Sequence, residues 1–256
     1  MDAVKLAAEG VSKVFGRGLQ ALPVLDSLDI TVAQGEFVSL VGPSGCGKST
    51  LFNMIAGIEE PSSGRILIDG IADGPHTGKT GYMPQRPSLL PWRTVEENVL
   101  LGLDVRRVAR KQSQAQARSL LERFGLAEFA QHYPAALSGG MQQRVALLRT
   151  VLFHPEFLLL DEPFGALDAL TRLSLQMWLL DLWQDLHASV LFITHDVREA
   201  ILLSDRIYVL SARPARVMRA VRVDLPRPRK REYLALEAAL RLEQALLDML
   251  LEEQRI

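Results

Sequence analysis

One nine-residue segment constrains the fold of this chain more than any other. Residues 42–50 have the sequence GPSGCGKST, a glycine-rich pattern in which successive backbone N–H groups converge on a phosphate. The small residues allow a close approach, and a helix that begins at the end of the loop adds the positive end of its dipole. A loop of this kind follows a strand and opens a helix, so it predicts an α/β nucleotide-binding core.

The chemistry of each residue type assigns roles within this loop. Lys48 is expected to neutralise charge on the β- and γ-phosphates of ATP, and the Ser49 hydroxyl is expected to bind Mg²⁺. A glycine-rich turn without a ligand is the alternative, and the predicted strand before the loop and helix after it argue against it. The predicted phosphate site contains Gly42, Pro43, Ser44, Gly45, Cys46, Gly47, Lys48, Ser49 and Thr50.

A pair of carboxylates follows a second apolar run. Residues 157–160 are continuously apolar, as expected for a strand buried on both faces of a parallel sheet. The strand carries Asp161 to its carboxyl end, where α/β sheets bind ligands, and we expect Asp161 to hold Mg²⁺. Glu162 is then placed to polarise the attacking water as general base. Such a pair is commonly only a solvated strand end, but the phosphate loop favours the functional interpretation.

The segment Ser138-Gly139-Gly140 opens another predicted helix, over residues 139–153. A Ser-Gly-Gly turn at a helix N-terminus is a second anion-binding cradle. One ATP does not need two separate cradles. The surplus predicts that this cradle serves a nucleotide held by another copy of the chain, and a solitary phosphate-loop kinase would not explain it.

These motifs together resemble the ABC ATPase family. The segment LSGG at 137–140 is similar to the signature motif of that family, and the order and spacing of the motifs match from Val4 to about Leu225. The resemblance implies a P-loop NTPase core with an N-terminal antiparallel β-subdomain and a helical insertion. It also implies that two chains sandwich two ATP molecules head to tail, so that Ser138 and Gly140, with Gly139 in the same cradle, contact the γ-phosphate bound by the other subunit.

Four further positions match the family one at a time. The resemblance implies that Gln85 senses Mg²⁺, the attacking water and the transport partner, and that His195 contacts the γ-phosphate. It places Asp168, in the segment GALD at 165–168, in the loop that links the two catalytic sites. It makes Phe15 the aromatic that stacks on adenine. The alternatives are a surface glutamine, a structural histidine and a core aromatic.

The pattern of short strands and helices predicts one nucleotide-binding domain over residues 1–256. Strand-like runs place the core and the β-subdomain at 1–86 and 154–225. Helical periodicity from Thr94 onward, where a capping box starts a helix, predicts a helical subdomain at 87–153. Residues 226–256 are expected to form a C-terminal helical extension, packed through a leucine stripe at 236, 240, 247 and 250.

Composition excludes some classes of function. The net charge of −1 provides no global field for nucleic acid or a membrane surface, so no nucleic-acid partner is expected. Cys46 is the only cysteine, and we find neither a signal-peptide pattern nor 18 consecutive apolar residues. We expect a peripheral protein on the cytoplasmic side of the cell membrane, attached through its partners.

Several segments resemble importers in particular. The segment THDVREA at 194–200 is similar to the importer pattern, and Met141, LLPW at 89–92 and LPRPR at 225–229 resemble the nitrate, sulfonate and taurine group, which includes transporters of thiamine precursors. This implies an ATP-hydrolysing subunit of a bacterial importer, with integral membrane permease subunits and, indirectly, an extracytoplasmic solute-binding protein. The alternative is a soluble non-transport ABC ATPase of translation or DNA repair; such proteins usually carry tandem domains or a long coiled coil.

The environments of Trp92 and of a basic segment each have two interpretations, and the position of Cys46 gives a further expectation. Trp92 is expected to pack either on a membrane subunit or in the local core. Residues 213–231 contain eight basic residues against Asp224, and we expect a solvated face, with anionic lipid headgroups as the alternative. Because Cys46 lies in the phosphate loop, alkylation of its thiol is expected to block ATP binding.

Overall fold

A computed structural model describes residues 3–72, 76–153, 156–165 and 167–253 of the chain. Its strands fall into two sheets, one of three strands and one of six. The strands are β1 (Val4–Phe15), β2 (Leu22–Ala33), β3 (Phe37–Val41), β4 (Ser63–Ile68), β5 (Gly81–Met83), β6 (Phe157–Asp161), β7 (Ser189–Ile193), β8 (Arg206–Leu210) and β9 (Val217–Arg222).

The small sheet is antiparallel and has the order β2-β1-β4. The large sheet has the order β5-β6-β7-β3-β8-β9, in which only β9 runs antiparallel to its neighbour. Every residue of β3, β6 and β7 is buried, as the continuous apolar runs predict. The carboxyl ends of β5, β6, β7 and β3 therefore meet at one edge, where the predicted site lies.

Helices cover the large sheet and form a separate cluster between β5 and β6 in the sequence. They are α1 (Lys48–Ile55), α2 (Val95–Val105), α3 (Arg110–Arg123), α4 (Gly139–Phe153), α5 (Ala169–Leu186), α6 (Val197–Leu203) and α7 (Glu237–Glu253). The predicted capping box is confirmed: the Glu97 N–H donates to Thr94 Oγ1 at 3.2 Å, and the Thr94 N–H donates to the Glu97 carboxylate at 2.8 Å. None of the helices in the described ranges is long and apolar enough to cross a bilayer.

The expected fold class is confirmed: a mixed α/β core, an N-terminal antiparallel sheet and a helical insertion. Two short elements, β5 and α6, are absent from the sequence interpretation. β5 has three residues and α6 has seven. Elements of this length do not complete two periods of any hydrophobic pattern, so periodicity gives no signal for them.

The predicted leucine stripe of the C-terminal helix is wrong at three of its four positions, and only Leu250 packs against the core. Leu236, Leu240 and Leu247 are exposed, whereas Ala239 and Leu246 are buried. The buried pair is seven residues apart and packs with apolar residues of α6 and β8. The small side chain of Ala239 lets the helix approach the core closely. This close approach sets which face of the helix is buried, and the spacing of the leucines does not predict it.

The expectation of a solvated basic face at 213–231 is wrong at two positions. Arg229 is only 3% exposed, and its Nη2 donates to the backbone carbonyls of Ser204 at 2.7 Å and Val223 at 3.2 Å. Arg227 pairs with Asp205 at 2.8 Å and lies 4.3 Å above the Trp183 ring. The segment that leads from β9 to α7 is largely exposed, but the Arg229 side chain turns inward and its guanidinium N–H groups bond to backbone carbonyls there.

Candidate nucleotide site

The phosphate loop connects β3 to α1, as predicted. Gly47 has a φ of 121°, a conformation that favours glycine, and a Cβ at this position would lie 2.6 Å from Leu25 Cδ2 and 2.8 Å from Val24 Cγ1. Strand β2 of the small sheet therefore rests directly on the loop. The glycine is needed both for the backbone turn and for this close packing.

Two side chains at the start of α1 are held in the loop. Lys48 Nζ donates to the carbonyls of Gly42 at 2.8 Å and Pro43 at 2.9 Å. The Ser49 side chain lies close enough to the carboxylate of Asp161, the last residue of β6, to affect its pKa. Burial raises the pKa of Asp161 above its usual range; the Ser49 contact and Lys48 oppose this effect, and the neighbouring Glu162 adds to it.

The Ser49 hydroxyl and the Asp161 carboxylate are hard oxygen donors of the kind that Mg²⁺ prefers. In the described part of the chain, no group of three or more histidine, cysteine, aspartate or glutamate side chains is arranged to hold a metal on its own. This suits Mg²⁺, which is usually bound by one or two protein groups together with substrate phosphates. The residues present therefore fit the ion.

The three predicted catalytic side chains meet at one carboxylate. Gln85 Nε2 donates to Glu162 Oε2 at 3.1 Å, and His195 Nδ1 lies 3.4 Å from the same oxygen. They follow the carboxyl ends of β5, β6 and β7, which are adjacent in the sheet. Glu162 has a positive φ of 46°, and its N–H donates to the Ile193 carbonyl at 3.0 Å. This uncommon backbone conformation aims the carboxylate along the sheet edge.

A cleft of about 400 Å³ extends from Gln85 and Glu162 to the phosphate loop, and His195 lies outside its lining. Phe15 lines it and is 38% exposed, so the alternative of a core aromatic is not observed. The Phe15 ring also lies 4.9 Å from Lys13 Nζ. The lining residues are Phe15, Leu22, Val24, Ser44, Gly45, Gly47, Lys48, Ser49, Thr50, Gln85, Asp161, Glu162, Ile193 and Arg213.

Cys46 differs from the other loop residues in its environment. Its thiol is 1% exposed and lies 3.8 Å from Lys48 Nζ, packed with core residues beneath the loop. The side chain is therefore not part of the cleft lining.

The second predicted cradle lies on a different surface. Ser138 Oγ accepts the Met141 N–H at 3.3 Å, so it caps the start of α4, and Gly139 and Gly140 are the first residues of that helix. A Cβ at Gly140 would lie 3.0 Å from Leu167 Cδ2, which places the cradle next to the predicted linking loop. The described residues that line the 400 Å³ cleft include none of these three.

Asp168 ends the predicted linking loop and begins α5. Its carboxylate accepts the N–H groups of Thr171 at 3.0 Å and Leu170 at 3.1 Å, and hydrogen bonding, first from Thr171, lowers the pKa of Asp168. It is an exposed N-cap in this chain. Ala166, in the same predicted loop, lies outside the described residues.

Sequence reasoning missed two arginines. Arg149 of α4 donates to the carbonyls of Pro87 at 2.7 Å and Ser88 at 2.9 Å, which ties the segment after Gln85 to the helical cluster. Its sequence gives no signal, since one arginine in a helix is ordinary. Arg213 lines the cleft, and its signal is the proline-containing turn between two predicted strands.

A phosphate loop, a buried aspartate and a Glu-Gln-His cluster at the carboxyl ends of parallel strands define a P-loop nucleotide hydrolase. The family model described as ABC transporter matches residues 25–165. The chain belongs to the ABC transporter family, and it is the ATP-binding and ATP-hydrolysing component.

Several relatives match over most of their length. An uncharacterized ABC transporter ATP-binding protein of Methanocaldococcus jannaschii is 45% identical over 89% of this chain and 85% of its own. The taurine import ATP-binding protein TauB of Pseudomonas aeruginosa is 42% identical over 97% and 96%. The aliphatic sulfonates import ATP-binding protein SsuB of Bacillus cereus is 42% identical over 88% and 89%.

A solved structure is also similar in fold. It is a dimeric post-hydrolysis state of an ATP-binding cassette with ADP and Pi bound. The TM-score is 0.78 at 31% sequence identity, and the match covers 86% of this chain and 100% of the other.

Proposed function

We propose that this chain powers a bacterial importer of a small solute of the nitrate, sulfonate, taurine or thiamine-precursor type. The observation that carries the proposal is the convergence of Gln85 and His195 on the Glu162 carboxylate beside the phosphate loop. Relatives named as import proteins for taurine and for aliphatic sulfonates, each 42% identical over most of the chain, support the direction of transport and favour a sulfonate among the solutes.

Hydrolysis follows from the chemistry of the cluster. The Glu162 carboxylate accepts a proton from water as the water oxygen attacks the γ-phosphorus, and the bond from that phosphorus to the β–γ bridging oxygen breaks. Gln85 and His195 orient the carboxylate through Oε2. Lys48 stabilises charge on the phosphate oxygens. Mg²⁺, held by Ser49, Asp161 and Gln85, would supply further neutralisation of phosphate charge.

A second copy of the chain completes the site. The cradle at Ser138, Gly139 and Gly140 is separate from the cleft of its own chain, and Asp168 lies next to it in the linking loop. In a head-to-tail pair, each cradle faces the nucleotide of the other copy. The dimeric ADP- and Pi-bound structure of the similar cassette supports this arrangement. Loss of the γ-phosphate after hydrolysis removes a group bound by both chains, and the pair opens.

The membrane subunits dock beside the segment that follows Gln85. Trp92 is 70% exposed, which is contrary to a local core role and leaves a large apolar side chain available to a partner. Arg149 ties Pro87 and Ser88 to α4, the helix that begins at the second cradle. Movement of the helical subdomain at 87–153 would therefore move Gln85 relative to Glu162. The protein acts at the cytoplasmic face, and a solute-binding protein acts through the permease.

ATPase measurement with reconstituted permease tests this function. We expect a permease of the sulfonate or taurine type, in lipid vesicles with its solute-loaded binding protein, to stimulate hydrolysis by the wild-type chain. Lys48→Ala is the control that removes phosphate binding. Two results together would instead indicate the soluble ATPase: no permease of these types changes the rate of hydrolysis, and the chain does not co-purify with membrane subunits.

A further inference from the structure

We infer that Arg213 binds the phosphate chain of the nucleotide in the cleft of its own chain. Arg213 lies outside the motifs that define the site, in the turn between β8 and β9. It lines the 400 Å³ cleft together with Phe15 and Lys48. The inference rests on the proposed function only in requiring that this cleft binds ATP.

The turn that carries Arg213 is anchored to the strand that covers the phosphate loop. The Ala215 N–H donates to the Val24 carbonyl at 2.9 Å, and the Asp26 N–H donates to the Ala215 carbonyl at 3.0 Å. Ala215 is fully buried. Val24 in turn lies next to Gly47 of the phosphate loop. These contacts fix the position of the Arg213 turn relative to the phosphate loop.

The C-terminal helix fixes the same turn from the other side. Glu253, in the last described turn of α7, accepts the Ala212 N–H at 2.8 Å through Oε2. Ala212 immediately precedes Arg213. Glu253 is therefore a positioning residue for Arg213, and it connects the C-terminal extension to the nucleotide site.

Arg213 balances the charges of the side chains that line the cleft. The lining contains two positive side chains, Lys48 and Arg213, and two negative ones, Asp161 and Glu162. Lys48 also donates to two loop carbonyls, whose partial negative charge offsets part of its positive charge. Without Arg213, the protein side chains of the lining would include two carboxylates and one cation, so Arg213 makes the lining more favourable to a polyphosphate. The cation of the turn compensates for the carboxylates that catalysis needs.

The Arg213 guanidinium is available for a ligand. Within the described ranges, no acceptor or carboxylate engages it, whereas Arg216 of the same turn pairs with Asp26 at 2.8 Å. A guanidinium presents a planar set of N–H donors that matches two phosphate oxygens. If Phe15 stacks on adenine, as the family resemblance implies, the phosphate chain is the part of ATP that remains for Arg213 to bind.

Competition binding separates phosphate recognition from base recognition. Displacement of a fluorescent ATP analogue by ATP and by inorganic tripolyphosphate is measured on wild type, Arg213→Ala and the matched control Arg216→Ala. We expect Arg213→Ala to weaken both competitors by a similar factor, about 10-fold, and to reduce the dependence of affinity on salt. Arg216→Ala should bind as wild type does.

Two results would overturn the inference. One is wild-type affinity of Arg213→Ala for ATP; the other is weaker ATP binding with unchanged tripolyphosphate binding, which would place Arg213 at the base or ribose. ATP binding by Lys48→Ala shows whether a failure concerns Arg213 alone or the proposed function as a whole. If the wild-type chain binds no ATP, or if Lys48→Ala leaves binding unchanged, the cleft itself is wrongly assigned.

The role of Glu253 is tested in the same assay. Glu253→Ala should weaken ATP binding in the same direction as Arg213→Ala but less, with kcat at saturating ATP unchanged. Glu253→Gln keeps an acceptor oxygen and should restore the affinity. Equal affinity for wild type and Glu253→Ala, or no rescue by Glu253→Gln at an unchanged melting temperature, would contradict positioning through Ala212.

Discussion

The side-chain amide of Gln85 donates to the Glu162 carboxylate at 3.1 Å, although the two residues are separated by 77 positions in sequence. The amide comes from the segment that leads into the helical cluster, and the carboxylate comes from the end of β6. A motion of the helical cluster that shifts Gln85 must therefore break or remake this hydrogen bond. If transport partners move the cluster, as proposed, this hydrogen bond connects them to the proposed general base.

Replacement of Glu162 by glutamine separates binding from hydrolysis. Glu162→Gln retains an oxygen that can accept from Gln85 but cannot take a proton from water. We expect kcat to fall by roughly 10²- to 10⁴-fold, with ATP affinity close to wild type and a stable ATP-bound dimer. Single-turnover hydrolysis and light scattering check these outcomes. Near-normal turnover would show that Glu162 is not the general base. If the variant stays monomeric at saturating MgATP with its membrane partners present, the head-to-tail ATP-bound dimer is contradicted.

Replacement of Arg149 tests how the helical cluster is connected to Gln85. Arg149→Ala leaves the Pro87 and Ser88 carbonyls without their donor, so we expect permease stimulation to be lost while unstimulated hydrolysis stays within a few-fold. The melting temperature should fall by at most a few degrees, because the Ser88 carbonyl is exposed to water and the Pro87 carbonyl is only part-buried. Arg149→Lys, which can still reach one carbonyl, should recover part of the stimulation. Full stimulation of Arg149→Ala would show that coupling follows another route.

The motifs predict the nucleotide site because each depends on local chemistry. The phosphate loop, the Asp161-Glu162 pair and the capping box at Thr94 are each short and have a fixed order of residues. Their positions at the carboxyl ends of neighbouring strands follow from the parallel sheet. Which side chains then touch is a tertiary property. The family resemblance implied roles for Gln85 and His195, but it did not predict that both would contact the Glu162 carboxylate.

Residues whose role depends on long-range packing were not predictable. Arg229 belongs to a basic run, yet it is buried because four backbone carbonyls from two segments surround its guanidinium. Arg213 and Arg216 are three residues apart, but only Arg213 lines the cleft. The burial of α7 follows Ala239 rather than the neighbouring leucines. The residue types alone do not distinguish these positions from ordinary surface positions.

The buried thiol of Cys46 gives a prediction about chemical modification. Because the side chain lies beneath the loop, Cys46→Ala should keep ATP affinity within about two-fold of wild type. N-ethylmaleimide should react slowly with the wild-type thiol, more slowly still with ATP bound, and should inhibit once attached, because the adduct displaces the loop. Mass spectrometry and residual ATPase activity give the rates. Inhibition of Cys46→Ala by the same reagent would exclude this site, since the variant lacks cysteine.

Glu199 gives a prediction about pH. It is a buried carboxyl in α6, and Gln176 of α5 donates to it at 2.7 Å. Burial raises the pKa of Glu199; hydrogen bonds from Thr194 and Gln176 oppose this, Asp196 adds to it, and Arg172 opposes it. The folded state thus holds the proton more tightly than the unfolded state. The stabilisation is complete below the unfolded pKa and is lost as pH rises through the folded pKa.

Glu199→Gln keeps the shape of the side chain and an acceptor for Gln176 but carries no charge. Its melting temperature should match that of wild type near about pH 4 and exceed it by a few degrees at about pH 8, because only the wild type must ionise a buried group as pH rises. Glu237→Gln, at an exposed position of α7, is the control and should show no such divergence. A constant difference between Glu199→Gln and wild type across this range would mean that the carboxyl titrates alike in the folded and unfolded states, and the assigned effect of burial would then be wrong.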